Sequence, residues 1–314
     1  MSKAQFLDLN AAADFLGPGA IEVNMYQSEI FDLVRRRGIL GQRIKSVPAT
    51  GHPSRYFEQT AIVTGGFQDP RNLTPTPGAP TRVERPVFLK AIVAQINYSQ
   101  FDLEVTQQQK QFDYLEAKDL EDTVNGTMLT HDKGLWNGND TSMSAPTTLQ
   151  YMGILTQVTQ TATIAAGASI IDGLKAQVAA MVANVTFEVM PSAIYVNPIL
   201  GDLIDREAKA LQVYFDKVEV VPGVKVKALM TQAGLIPLIT DPLLPSSTVG
   251  AFTSYPAVIV SESDVEYHYL TNAMPRVFQL GLLGNLALQK VVVKYGAPVA
   301  KGPSYAHAVV SVLR

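Results

Sequence analysis

Four histidines are the side chains with the widest chemical use in this 314-residue sequence, as metal ligands or general bases. They are His52, His131, His268 and His307, and no two of them have the spacing of a zinc motif such as His-Glu-x-x-His. Cysteine is absent, which excludes thiolate metal sites, disulfides and a cysteine nucleophile. The sequence also lacks the phosphate-binding glycine motifs and the Gly-x-Ser-x-Gly nucleophile elbow.

Two sets of carboxylates could be read as a metal site or an acid–base site, but the pattern is weak in both. Asp132 and Asp140 flank a loop rich in glycine and asparagine, but the register of a calcium loop is missing. The second set spreads around one predicted helix, as on a solvated or interfacial face, and comprises Asp113, Glu116, Asp119, Glu121 and Asp122. We therefore predict no catalytic, cofactor-binding or metal-binding residue, although a catalytic triad assembled from distant positions stays open.

The composition indicates a surface that contacts other protein. Lys and Arg total 25 and Asp and Glu total 28, so the formal charge is −3, unlike a free-standing basic nucleic-acid binder. Charged residues make up 17%, below the roughly 25% of ordinary soluble domains. No apolar run is long enough for a membrane helix, and the first residues do not read as a signal peptide. We expect a soluble protein of a reducing compartment, without a membrane partner.

The elements that would position these residues begin with an amphipathic helix over residues 21–37. Its apolar face consists of Val23, Tyr26, Ile30, Leu33 and Val34. Arg35, Arg36 and Arg37 follow, and they fit either a helix end stabilised by the helix dipole or a contact with nucleic acid.

A long two-stranded ribbon is predicted next. Residues 55–64 and 87–98 are rich in aromatic and β-branched residues, and we predict that they pair with each other. Residues 65–86 between them contain many prolines and glycines, which predicts an irregular tip without helix or central strand. The second strand is apolar on both faces, and isolated ribbons are marginal in water, so we expect a neighbouring molecule to cover it.

A long helix over residues 101–135 and an α/β unit over residues 167–260 complete the pattern. The helix is followed by a loop at 134–141. In the α/β unit, Ser169 caps a helix with apolar positions continuing to Val185, and a buried strand follows at 193–196. Asn197 and Pro198 start a second helix, on which Asp205 is predicted to pair with Lys209 and apolar positions run to Leu211. Residues 286–295 and 306–313 read as strands.

The order of these segments resembles the major capsid proteins of tailed bacteriophages with the Hong Kong 97-type fold. The resemblance also includes short signatures, which are LWNGNDT at 135–141, GIL at 153–155, AIYVNP at 193–198, GLIPLITDP at 234–242 and VGAF at 249–252. It implies an α+β fold with four parts. These are an N-terminal arm (residues 1–48), a long two-stranded extended loop (49–99), a peripheral domain with a long spine helix (100–160 and 276–314) and an axial α/β domain (161–275).

The resemblance also implies a role and partners. It implies a major capsid protein that self-assembles through pentamers and hexamers into an icosahedral shell around double-stranded phage DNA. The expected location is the virion, with assembly in the host cytoplasm, and the expected partners are the portal and separate scaffold or decoration proteins. No cofactor is implied, and although Lys90 lies in the ribbon, no cross-linking motif matches.

Two groups of residues are expected to make contacts within such a shell. The expected subunit-interface residues are Arg71, Arg82, Glu84, Arg85, Phe88, Ile92, Glu116, Asp119 and Glu121. We expect the charges of the ribbon tip to pair with the carboxylates of a neighbouring spine helix. The expected genome-facing residues are Arg35, Arg36 and Arg37, which would bind DNA without sequence preference.

Two alternative functions stay open at this point. The same fold forms the shell of a cellular encapsulin-type nanocompartment, and the content of the particle, nucleic acid or protein, distinguishes the two. The other alternative is a soluble α/β hydrolytic enzyme built on residues 169–260, which a turnover assay would identify.

Overall fold

The computed structural model of this protein describes residues 38–74, 77–109, 115–212, 215–221, 224–282 and 287–314. The helix predicted over residues 21–37, with its three arginines, lies outside them. Within them, the chain has a mixed α+β fold built on two sheets and a separate two-stranded ribbon. No helix among the described residues is both long and apolar enough to cross a membrane.

The described residues form strands and helices that do not alternate regularly along the chain. The strands are β1 (Lys45–Pro48), β2 (Ser54–Ala61), β3 (Thr81–Val87), β4 (Lys90–Ser99), β5 (Thr161–Ile164), β6 (Ala193–Val196), β7 (Asp216–Val221), β8 (Val224–Thr231), β9 (Gly234–Thr240), β10 (Ser247–Val249), β11 (Phe252–Val260), β12 (Val265–Tyr269), β13 (Arg276–Leu282), β14 (Ala287–Ala300) and β15 (Ala308–Leu313). The helices are α1 (Leu40–Arg43), α2 (Gln100–Gln109), α3 (Leu115–Asn137), α4 (Ile154–Gln157), α5 (Ile170–Val182) and α6 (Pro198–Ala210).

The five-stranded sheet is organised around the long strand β14. Strands β4, β12 and β13 all pair antiparallel with β14, and β1 pairs parallel with β12. The helix α3 packs against β4 and β14. Alternate residues of β4 are half-buried and exposed along its whole length, because one of its faces is turned toward that helix.

The eight-stranded sheet holds the larger core. Its order is β5-β15-β11-β6-β9-β8-β7, with β10 added beside β11. Helices α5 and α6 pack together on it, and the short central strand β6 is buried along its entire length. A second cluster, which includes Trp136, Tyr195 and Tyr267, joins this sheet to the five-stranded one.

Local capping signals in the α/β unit are confirmed. The Ser169 Oγ accepts a hydrogen bond from the Asp172 N–H, and the Asn197 Oδ1 accepts one from the Ile199 N–H. The apolar faces of both helices end sooner than predicted. Val185 lies beyond the end of α5 and is fully exposed, and Leu211 lies beyond the end of α6 and is also exposed. The predicted pairing of Asp205 with Lys209 is wrong, because Asp205 forms an ion pair with Lys227 of β8 instead.

The predicted pairing of the ribbon is also wrong. The strand β2 pairs with β3, which lies inside the region predicted to be an irregular tip, whereas β4 pairs with β14 in the five-stranded sheet. Pro86 falls within β3, which is tolerated because each strand of a two-stranded ladder leaves one edge without hydrogen bonds. The backbone of β4 therefore has its pairing partner within its own chain.

Each of the two sheets takes strands from distant parts of the chain. Strand β15 lies in the eight-stranded sheet, where it pairs with β5 and β11. Strand β12 lies in the five-stranded sheet, where it pairs with β1 and β14. The chain therefore crosses between the two sheets several times.

The loop predicted at 134–141 begins only at Gly138, because α3 continues through Asn137. Two glycines then allow two backbone segments to touch. A Cβ at Gly138 would lie 2.3 Å from the Tyr151 carbonyl oxygen, and one at Gly153 would lie 2.4 Å from the Trp136 carbonyl oxygen. Only glycine fits at such a close approach, which explains these glycines within the signatures at 135–141 and 153–155.

Candidate subunit-interface surface

The ribbon, defined here as β2, β3 and the connecting residues 62–80, presents apolar side chains to solvent. Its apolar residues include Phe57, Ile62, Val63, Phe67 and Leu73, all exposed, with Phe57 at 72%. Strands β2 and β3 pair with each other and with no other described strand. A two-stranded ladder has no core of its own, so this apolar surface is suited to contact with another molecule.

The root of the ribbon is attached to the five-stranded sheet by a buried chain of hydrogen bonds. The Ser54 Oγ lies 2.9 Å from His268 Nδ1, and His268 Nε2 lies 3.2 Å from Glu266 Oε2. The same carboxylate accepts an ion-pair contact from Lys301 Nζ at 2.7 Å. Beside these groups, Val87 packs in a small apolar cluster of the sheet. Ribbon and sheet are thus linked at a fixed point.

The electrostatics of this root fit a neutral histidine beside a charged carboxylate. Burial lowers the pKa of His268 and outweighs the nearby carboxylate, which raises it. Burial alone would raise the pKa of Glu266, but hydrogen bonds from Lys301 and His268 lower it overall. The neutral imidazole then donates a hydrogen bond from Nε2 to the Glu266 carboxylate and accepts one at Nδ1 from the Ser54 hydroxyl group. The charge of Glu266 is balanced by Lys301.

Two ion pairs cross the ribbon itself. Arg55 Nη1 lies 2.8 Å from Glu84 Oε1, and Arg85 Nε lies 2.8 Å from Glu58 Oε2. Glu84 and Arg85, which the sequence assigned to an interface with a neighbour, therefore have partners in their own ribbon. The two pairs stabilise the register of β2 against β3, in which Phe57 faces Glu84 and Tyr56 faces Arg85.

Of the four other expected interface residues outside the long helix, two are exposed on the ribbon and two, which follow the ribbon in sequence, pack within the chain. The side chains of Arg71 and Arg82 are exposed and have no ion pair within the described part of the chain. Phe88, by contrast, is half-buried and packs edge-on against His52 at 5.3 Å. Ile92 is half-buried and packs against the cluster that joins the two sheets.

The predicted contact residues of the long helix all lie on α3. Glu121 is exposed and lies 3.7 Å from Lys118, while Asp119 is half-buried. Glu116 belongs to the same helix, but its side chain lies outside the described part of the structure. Arg35, Arg36 and Arg37 also lie outside it. The structure therefore brings none of these carboxylates to the ribbon of the same chain within the described contacts.

A buried ion pair at the start of β4 was missed by the sequence analysis. Lys90 Nζ lies 2.8 Å from Asp140 Oδ2 and also donates to the Thr148 carbonyl oxygen. Asp140 accepts further hydrogen bonds from the Thr141 and Thr147 N–H groups. Burial would raise the pKa of Asp140, but the bonds from Lys90 and Thr147 outweigh it and lower that pKa. No local pattern reveals the pair, because fifty positions separate the two residues.

Three side chains at the root of the ribbon are connected in series, as in a catalytic triad. Ser54, His268 and Glu266 follow the order of a catalytic triad, but all three side chains are buried at the ribbon root. No group of three or more metal-ligating side chains among the described residues could hold a metal ion. A cleft of about 670 Å³ elsewhere in the described structure is lined by none of these three residues.

Comparison with known proteins gives a clear result for the fold. No family model and no curated protein matches the sequence. An encapsulin complex from Synechococcus elongatus aligns with a TM-score of 0.62 and 17% identity, over 96% of this chain and 94% of that one. The capsid of a GTA particle aligns with a TM-score of 0.64 and 12% identity, over 98% and 100%. The head of Helicobacter pylori bacteriophage KHP40 aligns with a TM-score of 0.62 and 9% identity, over 98% and 97%.

The chain has the Hong Kong 97-type capsid fold. In the terms of this fold, the ribbon is the extended loop and α3 belongs to the spine helix. The fold class implied by the sequence is therefore confirmed.

Proposed function

We propose that this chain is a major capsid protein whose copies self-assemble into the icosahedral head shell of a tailed phage, around double-stranded DNA. The observation that carries the proposal is a capsid fold combined with an extended loop that leaves Phe57 and Phe67 in solvent. A monomer that exposes such a ribbon would gain stability by burying it against another copy. Proteins with this fold among the compared structures are shells built from many copies.

Contacts between copies would use the exposed part of the extended loop. In the proposed shell, Arg71 and Arg82 pair with carboxylates of a neighbouring spine helix, such as Glu116, Asp119 and Glu121. Glu84 and Arg85 keep the loop in register through their own cross-strand pairs, and Phe88 and Ile92 position its base. Pentamers and hexamers follow from repeated heterologous contacts that close by symmetry.

The remaining partners follow from this role. Arg35, Arg36 and Arg37 would face the genome and bind it through phosphate contacts, with strong salt dependence and no sequence preference. The protein would occur in the virion after assembly in the host cytoplasm, with a portal and separate scaffold or decoration proteins, and without a catalytic function, cofactor or membrane.

An encapsulin-type compartment is the second candidate, because an encapsulin complex aligns over nearly the whole chain. The two candidates share the shell and differ in its content. Electron microscopy and sedimentation of the purified protein test the shared part, and closed shells or rings of five and six subunits are expected. A monodisperse 34.0 kDa monomer at high concentration would contradict both candidates.

The content of particles isolated from cells that carry the gene tests the difference. Nuclease-resistant DNA inside the shells is expected for the proposed capsid. An enclosed enzyme without DNA would support the compartment instead. Turnover by the isolated protein, lost when His268 is replaced, would support the hydrolytic alternative.

A further inference from the structure

An apolar cleft of about 670 Å³ lies beside the first residues of β4. Its walls come from β4, the end of α3 and two loops, and include Val93, Lys133, Leu149, Tyr151, Leu243 and Pro245. Leu149 is 91% exposed and Val93 is 59% exposed, so nothing in the described part of the chain covers these apolar side chains. Apolar residues concentrated in a concave surface are typical of a binding site.

The described chain begins at the edge of this cleft. The Gly38 N–H donates to Asp132 Oδ2 at 2.8 Å, and the Ile39 N–H donates to Asp241 Oδ2 at 3.2 Å. These two carboxylates directly precede the cleft residues Lys133 and Pro242 in sequence. A Cβ at Gly38 would lie only 3.2 Å from Leu243 Cδ1. The 37 residues that precede Gly38 therefore join the fold beside the cleft.

The segment that joins there has the sequence of an amphipathic helix. Apolar residues lie on one face of residues 21–37, with Ile30 at the centre of that face, while Ser28 lies on the opposite face. As a helix, seventeen residues span about 25 Å, so the segment reaches the cleft without any linker. We propose that residues 21–37 bind in this cleft of their own subunit, with the apolar face toward Val93 and Leu149.

Charge and connectivity support this occupant. Glu29 borders the apolar face, and Lys133 at the cleft is exposed without an ion pair among the described residues. Covalent attachment beside the site gives the segment an effective concentration of about millimolar, which a separate molecule would have to match. The strongest competitor is the extended loop of a second copy, whose Phe67 is fully exposed.

Cysteine cross-linking tests the proposal directly, because the chain contains no native cysteine. The full-length variants Ile30→Cys/Leu149→Cys and Ile30→Cys/Val93→Cys are oxidised and run on a denaturing gel without reductant. We expect an intramolecular disulfide, seen as a monomer of altered mobility that reductant restores. The matched control Ser28→Cys/Leu149→Cys places the thiol on the polar face and should react at least about tenfold more slowly, since its sulfur points away from the cleft.

Three results of this experiment would overturn the proposal. Equal rates for the Ile30 and Ser28 variants would show that the segment has no preferred face in the cleft. Disulfide-linked dimers in place of the monomer would show that the occupant comes from another subunit. A faster reaction of Phe67→Cys/Leu149→Cys would assign the cleft to the extended loop of a second copy.

Limited trypsin digestion gives an independent test, since the segment ends in three arginines. Binding should protect the bonds after Arg35, Arg36 and Arg37, while Arg71 in the extended loop serves as an exposed reference. The substitution Leu149→Glu should raise the cleavage rate at the three arginines at least about tenfold, because cleavage follows the population of the unbound segment. The control Val185→Glu, at a fully exposed residue outside the cleft, should leave the rate unchanged. An unchanged rate in Leu149→Glu would contradict the proposal.

Discussion

In the eight-stranded sheet, side chains such as Ile194, Val196 and Ile259 are completely buried, whereas in the ribbon Phe57 and Phe67 lie in solvent. The same classes of residue therefore have opposite surroundings in one chain. The sheet is covered by α5 and α6 and is stabilised within the subunit. Among its described residues, the ribbon has one ladder, two ion pairs and a root attached to the five-stranded sheet, and its apolar side chains are exposed. The difference indicates that the packed sheet stabilises the subunit, while the ribbon is the region that we propose for assembly.

The largest effect is expected from removing the tip of the ribbon. Residues 62–80 are replaced by Asn-Gly between β2 and β3. The described residues of this segment are all exposed, so the circular dichroism and the thermal unfolding of the subunit should stay near normal. Closed shells should be lost, because the proposed contact between copies is gone. Electron microscopy is the measurement, and normal shells from the deletion variant would show that the ribbon is not an assembly contact.

A change in the core of the eight-stranded sheet should instead lower the stability of the subunit. Leu200 is fully buried on α6, so Leu200→Ala should lower the free energy of unfolding by about 2–5 kcal/mol through a cavity. The control Ile199→Ala changes an exposed neighbour on the same helix and should cost under about 0.5 kcal/mol. Urea denaturation of both variants is the measurement. Similar losses of unfolding free energy in Leu200→Ala and Ile199→Ala would contradict the distinction between a packed core and an exposed surface.

Low pH should destabilise the folded subunit through a buried histidine. His307 accepts a hydrogen bond from the Ser261 N–H at Nδ1 and donates one from Nε2 to the Lys301 carbonyl oxygen, and Asp264 is a nearby charge. Burial lowers its pKa from 6.5 to about 4. Between these values the unfolded chain binds more protons, so this stabilisation is complete above about pH 6.5 and is lost as pH falls toward 4.

The variant His307→Gln isolates this contribution. The wild-type protein should lose about 3 kcal/mol more stability between pH 7 and pH 4 than the variant does. Urea denaturation at several pH values is the measurement. Residues 54–87 contain no histidine, so the ribbon should add nothing to this difference. If the free energy of unfolding depended on pH in the same way in both proteins, the burial of His307 would not lower its pKa as stated.

The smallest effect is expected for the ion pair between Arg55 and Glu84. Both side chains are largely exposed, so a double-mutant cycle with alanine should give a coupling of about 0.2–1 kcal/mol, weaker in high salt. Urea denaturation of the isolated subunit measures it. A coupling above about 2 kcal/mol would mean that the ribbon is stabilised within the subunit far more than its exposure indicates.

Several local elements could be predicted from neighbouring residues alone. Ser169 and Asn197 mark the starts of α5 and α6, and the apolar run at 193–196 became the buried strand β6. Their signals act over a few positions, because a cap or a helical face depends only on nearby backbone groups. The candidate ribbon was located for the same reason, through its aromatic strand at 55–64 and its proline-rich continuation.

Neighbouring residues predict several elements, such as α5, α6 and β6, and an apolar ribbon that needs a partner, but they do not predict β3. Which strands pair with one another depends on the tertiary structure. Strand β4 pairs with β14 nearly two hundred residues away, and β2 pairs with the β3 segment that contains Pro86. Residue alternation shows that a strand has two faces, but it does not indicate the partner, since distant strands compete for the same edge and burial selects among them. The pairs Lys90–Asp140 and Ser54–His268 follow from that selection, because they form only after the chain has folded back on itself.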